Sequence, residues 1–229
     1  DSMLYSMKPS AVSSRSYRDS IAPVNGSSFA SGSVIKIDIP AGRRGTYLDT
    51  LQSYIQFRIE NDTGNTLQMA GTNASVVIER LDVYSGSNLL ESISSYGRLY
   101  QCLHDMGFNS SDKATAGTFE GAEPNQVNTA ASTLTDLQPP NRLGESLAST
   151  VDNTYYTPIL SAVVGNLIDK YLPIGELASD IRVEITLSSA NIPFIGGADS
   201  VAWNVVDVVY QAQIVEVDST VQSQLDLAT

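Results

Sequence analysis

Hydrophobic and polar residues alternate with a period of two along several separate stretches of the chain, the pattern of strands that bury one face. The clearest case follows Leu172-Pro173: Ile181, Val183, Ile185 and Leu187 point one way, and Arg182, Glu184, Thr186 and Ser188 the other. Pro173 stands ahead of this strand, where its missing N–H takes nothing from the ladder. Ser33 to Ile39 alternates with Ile35, Ile37 and Ile39 on one face and closes at the turn Pro40-Ala41-Gly42. Leu51 to Glu60 sets Leu51, Ile55, Phe57 and Ile59 against Gln52, Tyr54, Gln56, Arg58 and Glu60. Ser75 to Tyr84 reads as a third strand, and strand-like runs resume at Tyr156–Val164, Asn166–Tyr171 and Ala202–Asp218. In the last of these Val206, Val208, Tyr210, Ala212 and Ile214 share a face, and its length suits a strand that crosses a whole sheet.

Leu89 to Met106 breaks the period. Ile93, Tyr96, Leu99, Tyr100, Leu103 and Met106 recur every three or four residues and predict an amphipathic helix, weakened midway by Gly97. Residues 1–32 are rich in Ser and Ala without sustained periodicity and read as an extended N-terminal arm rather than a packed element. From Gly107 to about Tyr155 a polar stretch carries Pro124, Pro139 and Pro140 and is too long for an ordinary connection, so an insertion at 107–155 is expected. Seven or eight strands separated by turns, with one short helix, predict an all-β fold: an antiparallel β-sandwich of Greek-key or jelly-roll type spanning 33–229.

The 229 residues suffice for one such sandwich, and 42% hydrophobic with 17% charged content is that of a folded chain. No apolar run approaches the roughly 18 residues that would span a bilayer, and no signal peptide is read at the N-terminus. Cys102 is the single cysteine, which excludes an internal disulfide. Sequons at Asn25, Asn61, Asn73 and Asn109 arise readily in so Asn/Ser/Thr-rich a chain. The net charge of −12 is uneven: residues 1–44 hold six basic against three acidic residues, a net of +3, and the remainder seven against 22, a net of −15. So acidic a body is unsuited to a phosphate backbone, which leaves the arm as the part that would touch nucleic acid or anionic lipid.

Candidate chemistry is sparse. His104 is the only histidine and lies two residues from Cys102 on the predicted helix, where positions two apart do not face each other. No catalytic residue is assigned, and no metal or cofactor site. No G-x-G-x-x-G, phosphate-loop or G-x-S-x-G pattern occurs, and Gly42, Gly45, Gly196 and Gly197 fall where turns explain them. Asp62, Asp152 and Asp199 have no spacing of a dedicated calcium loop. Trp203 opens an alternating strand and reads as a core anchor, with a sugar-stacking platform as the other possibility.

Read in order, these segments resemble the first jelly roll of the major capsid proteins of the double jelly-roll lineage, which includes large DNA viruses and virophages. The carriers are Ser33 to Pro40 followed by Tyr54 to Ile59, then Val77 to Glu91, the Leu172-Pro173-Ile174 turn with its strand, and Val205 to Leu225. Gly175-Glu176 departs from the aliphatic residues common after that turn. The resemblance implies a structural capsid protein, not an enzyme, that forms an icosahedral shell in the virion through symmetric capsomers, trimers first, assembled inside the host cell. It implies homo-oligomeric and neighbouring capsid partners, no small-molecule substrate, and an arm that touches neighbours, nucleic acid, membrane or minor capsid proteins on the inner surface. Met3, Tyr5, Lys8, Arg15, Tyr17 and Arg18 are the arm residues assigned to those contacts. The chain would be an N-terminal domain of such a protein, one product of its processing, or a single jelly-roll relative. A β-sandwich carbohydrate-binding or attachment module, using the 107–155 loop and Trp203, is the alternative.

Overall fold

The computed structural model describes residues 14–64, 66–71, 73–107, 116–122, 146–147, 153–167, 170–195, 202–219 and 222–223. In chain order the elements are β1 (Ser14–Ile21), β2 (Ser28–Ala30), β3 (Val34–Ile39), β4 (Thr46–Asn61), β5 (Leu67–Met69), β6 (Ile78–Ser85), β7 (Asn88–Ser94), α1 (Tyr96–Gly107), the single turn α2 (Ala116–Phe119), β8 (Ser146–Leu147), β9 (Asn153–Thr157), β10 (Ile181–Leu187), β11 (Phe194–Ile195) and β12 (Trp203–Val217). One sheet runs β1-β12-β4-β9 with β2 beside β12, a second runs β3-β10-β6-β7, and β11-β5-β8 form a small third. Every strand pair is antiparallel. The two large sheets face one another as a jelly-roll sandwich.

The alternation read from sequence is what fills the space between them. Ile35, Ile37 and Ile39 of β3 lie within the core beside Ile181, Val183, Ile185 and Leu187 of β10, all at most 2% exposed. Ile55 and Phe57 of β4 and Val205 and Val208 of β12 close on them from the opposite sheet, leaving a gap of only about 10 Å³. That is at the lower limit for a single water, so the two sheets pack closely here. The outer face of the second sheet carries neutralised charge: Lys36–Glu184 at 3.1 Å, Arg182–Asp38 at 2.7 Å and Arg80–Asp82 at 2.9 Å.

Several expectations are corrected. Residues 14–21, read as unpacked arm, form β1 and pair with β12 over eight residues from Ser14↔Val217 to Ile21↔Tyr210. The polar sequence of β1 hid it, because an edge strand contributes backbone hydrogen bonds and only Tyr17 and Ile21 to the core. Residues 88–94 are a strand, not helix, since the turn at Gly86 folds β7 back along β6. Ser95, at φ 52, then redirects the chain into α1. Residues 74–77 are a 3-10 turn ahead of β6. The strand near 156 is β9, which ends at Thr157, and no strand covers the described residues of 166–171. Leu51 is exposed because Asp49 accepts from the amides of Leu51 and Gln52 and its carbonyl from the Ser53 hydroxyl, a bulge that shifts the phase of β4. Ser188, assigned outward, is buried with its hydroxyl on the Val76 carbonyl.

Gly97 and Gly175 are close-approach glycines. A Cβ at Gly97 would stand 2.7 Å from the Ser75 carbonyl oxygen and 2.9 Å from Val76 Cα, so α1 can lie on the 3-10 turn only without one. A Cβ at Gly175 would stand 2.2 Å from the Arg43 carbonyl oxygen. The residue that departs from the resembled pattern is therefore the one that lets the turn after β3 seat against the Leu-Pro turn.

Candidate functional site

The edge strand β1 presents the described half of the predicted arm contacts. Arg15, Tyr17 and Arg18 are there; Met3, Tyr5 and Lys8 lie outside the described residues. All three described side chains are held by the chain's own body. Glu216 of β12 receives the Arg15 guanidinium at 2.6 Å on Oε2, with Arg43 at 2.8 Å and the Tyr17 hydroxyl at 3.2 Å on Oε1. Partial burial pushes the Glu216 carboxyl up, but the bonds from Arg15 and Tyr17 and the charges of Arg15 and Arg43 outweigh it, so the net shift is downward. Burial, then the bond to Glu216, raises the Tyr17 phenol.

Further along β1, Arg18 lies 5.0 Å over the Tyr54 ring and donates to its hydroxyl at 3.2 Å. Tyr54 meets Tyr156 edge-on at 5.9 Å, and Tyr156 meets Phe119 at 6.5 Å. Arg18, Tyr54, Tyr156 and Phe119 thus form a row on the outer face of the first sheet, with Phe119 66% exposed. Sequence reasoning missed this row, which exists only because β1, β12, β4 and β9 are neighbours in that order.

Between α1 and the segment that follows α2 lies a buried polar cluster. Tyr96, Tyr100 and His104 occupy the inner face of α1. Glu120, just after α2, accepts from the Tyr100 hydroxyl at 3.1 Å and stands 3.6 Å from His104 Nε2. Burial, tempered by that hydrogen bond, pushes the Glu120 carboxyl up to about 7. Burial also raises the Tyr96 and Tyr100 phenols. The Ala74 amide donates to the Glu120 carbonyl at 2.7 Å, so the segment is tied by backbone as well.

These groups do not assemble into a catalytic constellation. His104 is buried while Cys102 is exposed on the other side of α1. Among the described residues no group of three or more His, Cys, Asp or Glu stands ready to hold a metal ion, and no helix is long and apolar enough to cross a membrane. Asp152, Asp199, Gly196 and Gly197 lie outside the described residues. Trp203 is 2% exposed, donates from Nε1 to the Ala190 carbonyl and packs edge-on against Phe194, so it is a core anchor and offers no platform to a sugar. Asn61 and Asn73 are buried and engaged by the chain, which removes two of the sequons as acceptors. A solvent-open cleft of about 170 Å³ beside α1, rimmed by Glu79, Ser95, Arg98 and Gln101, contains no histidine or cysteine to activate a nucleophile.

Two facing antiparallel sheets, one of them built on the long strands β4 and β12, form a jelly-roll sandwich. The chain is similar to VP54 of PBCV-1 as fitted into a reconstruction of the virophage Sputnik, with a TM-score of 0.60 and 11% identity over 97% of this chain. It is similar again to the capsid protein in a quasi-atomic description of the PBCV-1 capsid, with a TM-score of 0.53 and 12% identity over 97% of this chain. In both cases it spans 47% of the other chain's length, about half. At these identities the likeness is one of fold. No protein-family profile and no curated protein sequence matches the chain.

Proposed function

We propose that this chain is a structural capsid protein whose copies associate into symmetric capsomers, trimers first, of an icosahedral shell in the virion. One observation carries the reading: 97% of the chain superposes on about half of the PBCV-1 capsid protein. In this reading the protein binds other capsid subunits and turns over no substrate. Residues 1–13, which carry Met3, Tyr5 and Lys8, reach from the start of β1 toward neighbouring subunits or the inner surface. Arg15, Tyr17 and Arg18 act at one remove, by holding β1 so that the residues ahead of it leave from a set point on the sheet edge.

The test is the mass and symmetry of the purified protein by light scattering and electron microscopy of the same sample. Threefold capsomers or closed shells support the reading, and a monomer at every concentration overturns it. A glycan-binding module is the second reading, favoured now by the exposed Tyr156 and Phe119 rather than Trp203. A glycan array probed with the protein and with Tyr156→Ala decides it: binding lost in the variant supports a sugar site, and a blank array removes it.

A further inference from the structure

Helix α1 buries one face and exposes apolar side chains on another. Its inner face buries Tyr96, Gly97, Tyr100 and His104. Its outer face presents Leu99 at 42%, Leu103 at 39% and Met106 at 77% exposure, with the Cys102 thiol between them. Sequence periodicity put Leu99, Leu103 and Met106 inside with the tyrosines. The close approach at Gly97 turns the helix so that they face outward instead. A contiguous run of exposed apolar side chains beside an already buried face marks an interaction surface.

The outer face is arranged for a second copy of itself. Residues seven apart lie nearly in line along a helix. Leu99 and Met106 form one such track, and Arg98 and Asp105, of opposite charge, form a parallel one, with Cys102 between the tracks and midway along both. When two copies of α1 face each other antiparallel about a two-fold axis through Cys102, each track meets the reversed track of the other copy. Leu99 then packs on Met106 of the second copy, and Arg98 faces Asp105 of the second copy. The face carries no net charge, which matters for a chain at −12 whose copies repel elsewhere. We infer that the outer face of α1 is a two-fold self-contact between copies of this chain, and this inference deepens the capsid reading by naming one of its interfaces.

One 12-residue helix face covers less than the roughly 1,200–2,000 Å² that a stable interface buries. The contact is therefore weak alone and closes where other contacts hold copies together, as in a shell. Helices packed at about 8–10 Å bring facing Cα atoms within the roughly 4–7 Å that a disulfide spans. Because Cys102 is the only cysteine, any oxidative cross-link reports this position.

The experiment is copper-phenanthroline oxidation of the full chain, as a concentration series and in purified assemblies, read as the fraction at twice the chain mass. A concentration-dependent dimer is expected. Leu99→Asp should lower its yield about tenfold, the effect of losing one central contact. Arg98→Asp should lower it too, and Arg98→Asp with Asp105→Arg should restore it, each variant being checked for native melting. No dimer even in assemblies overturns the inference, as does a yield indifferent to Leu99→Asp and the charge swap, which marks random thiol collision. So does a Cys102 that a maleimide cannot reach in the monomer, because another part of the same chain then covers the face. Shells formed normally by Leu99→Asp would overturn this contact and leave the capsid reading standing. A dimer that obeys the charge swap in a protein that never builds capsomers would do the reverse.

Discussion

The Tyr100 hydroxyl donates to Oε2 of Glu120 at 3.1 Å, and this bond fastens the segment around α2 to the inner face of α1. Around the carboxyl stand Tyr96, Tyr100 and His104 from α1, with Glu91 of β7 bearing on Tyr96, and the Tyr155 ring of β9 lies against the neighbouring Gly121. Residues 116–122 are therefore docked on α1 and on the turn before β6 through a buried acid and a backbone bond.

That acid makes the docking pH-dependent. Unfolded, Glu120 loses its proton near its ordinary 4.5; folded, near 7, because burial disfavours the charge. Between those values the folded state holds the extra proton, so the stability this gives is complete below about 4.5 and is lost as the pH rises to about 7. The full effect is on the order of 3 kcal/mol at most, since each pKa unit is worth about 1.4 kcal/mol. Hydrogen exchange of residues 116–122 should quicken between pH 5 and 8 beyond the intrinsic change, and Glu120→Gln should flatten the dependence. Identical profiles for the two proteins would show that Glu120 does not govern the docking.

Removal of the arm should depend sharply on where the cut falls. Deleting residues 1–13 leaves β1 intact and should leave the melting temperature within a few degrees of the full chain. Deleting 1–30 removes β1 and β2 together and strips one edge of β12. That protein should melt earlier and aggregate through the bared strand. Equal stability of the two truncations, measured by thermal unfolding, would contradict the pairing.

Glu216→Gln should loosen β1 at its Ser14 end by releasing Arg15, Arg43 and Tyr17 from a shared carboxylate. The folded Glu216 titrates below its ordinary 4.5, so the wild-type anchor is present above that value and fades as the pH falls through the folded value. Limited proteolysis between Arg15 and Arg18 should be faster in the variant at pH 7 and should converge with wild type in acid.

Gly97→Ala should destabilise although alanine is the better helix former, because the added methyl meets the Ser75 carbonyl and Val76 Cα. Overpacking of this kind costs about 1–3 kcal/mol. Urea unfolding should show that loss, whereas Gly107→Ala, with nothing within 4 Å, should show none of it.

Strand alternation was legible in the sequence wherever a strand buries one face and follows one phase, as in Ile35-Ile37-Ile39 and Ile181 to Leu187, because side-chain period and burial are then the same information. The jelly-roll class, Trp203 as core anchor and the approximate place of the helix follow from that signal. Only the tertiary structure decided the rest. β1 is polar because its contribution is backbone pairing, which leaves no mark in hydropathy. The bulges at Asp49 and Asp207 reverse which face is buried in mid-strand, and nothing local to Leu51 announces its exposure. The apolar residues of α1 satisfy two faces equally well by periodicity, and the choice between them fell to Gly97 and the turn it packs on. Glu216 gathering Arg15 and Arg43, and Glu120 reaching Tyr100, join residues about 20 to 200 positions apart. Such pairs are set by sheet order and register, which a one-dimensional pattern does not contain.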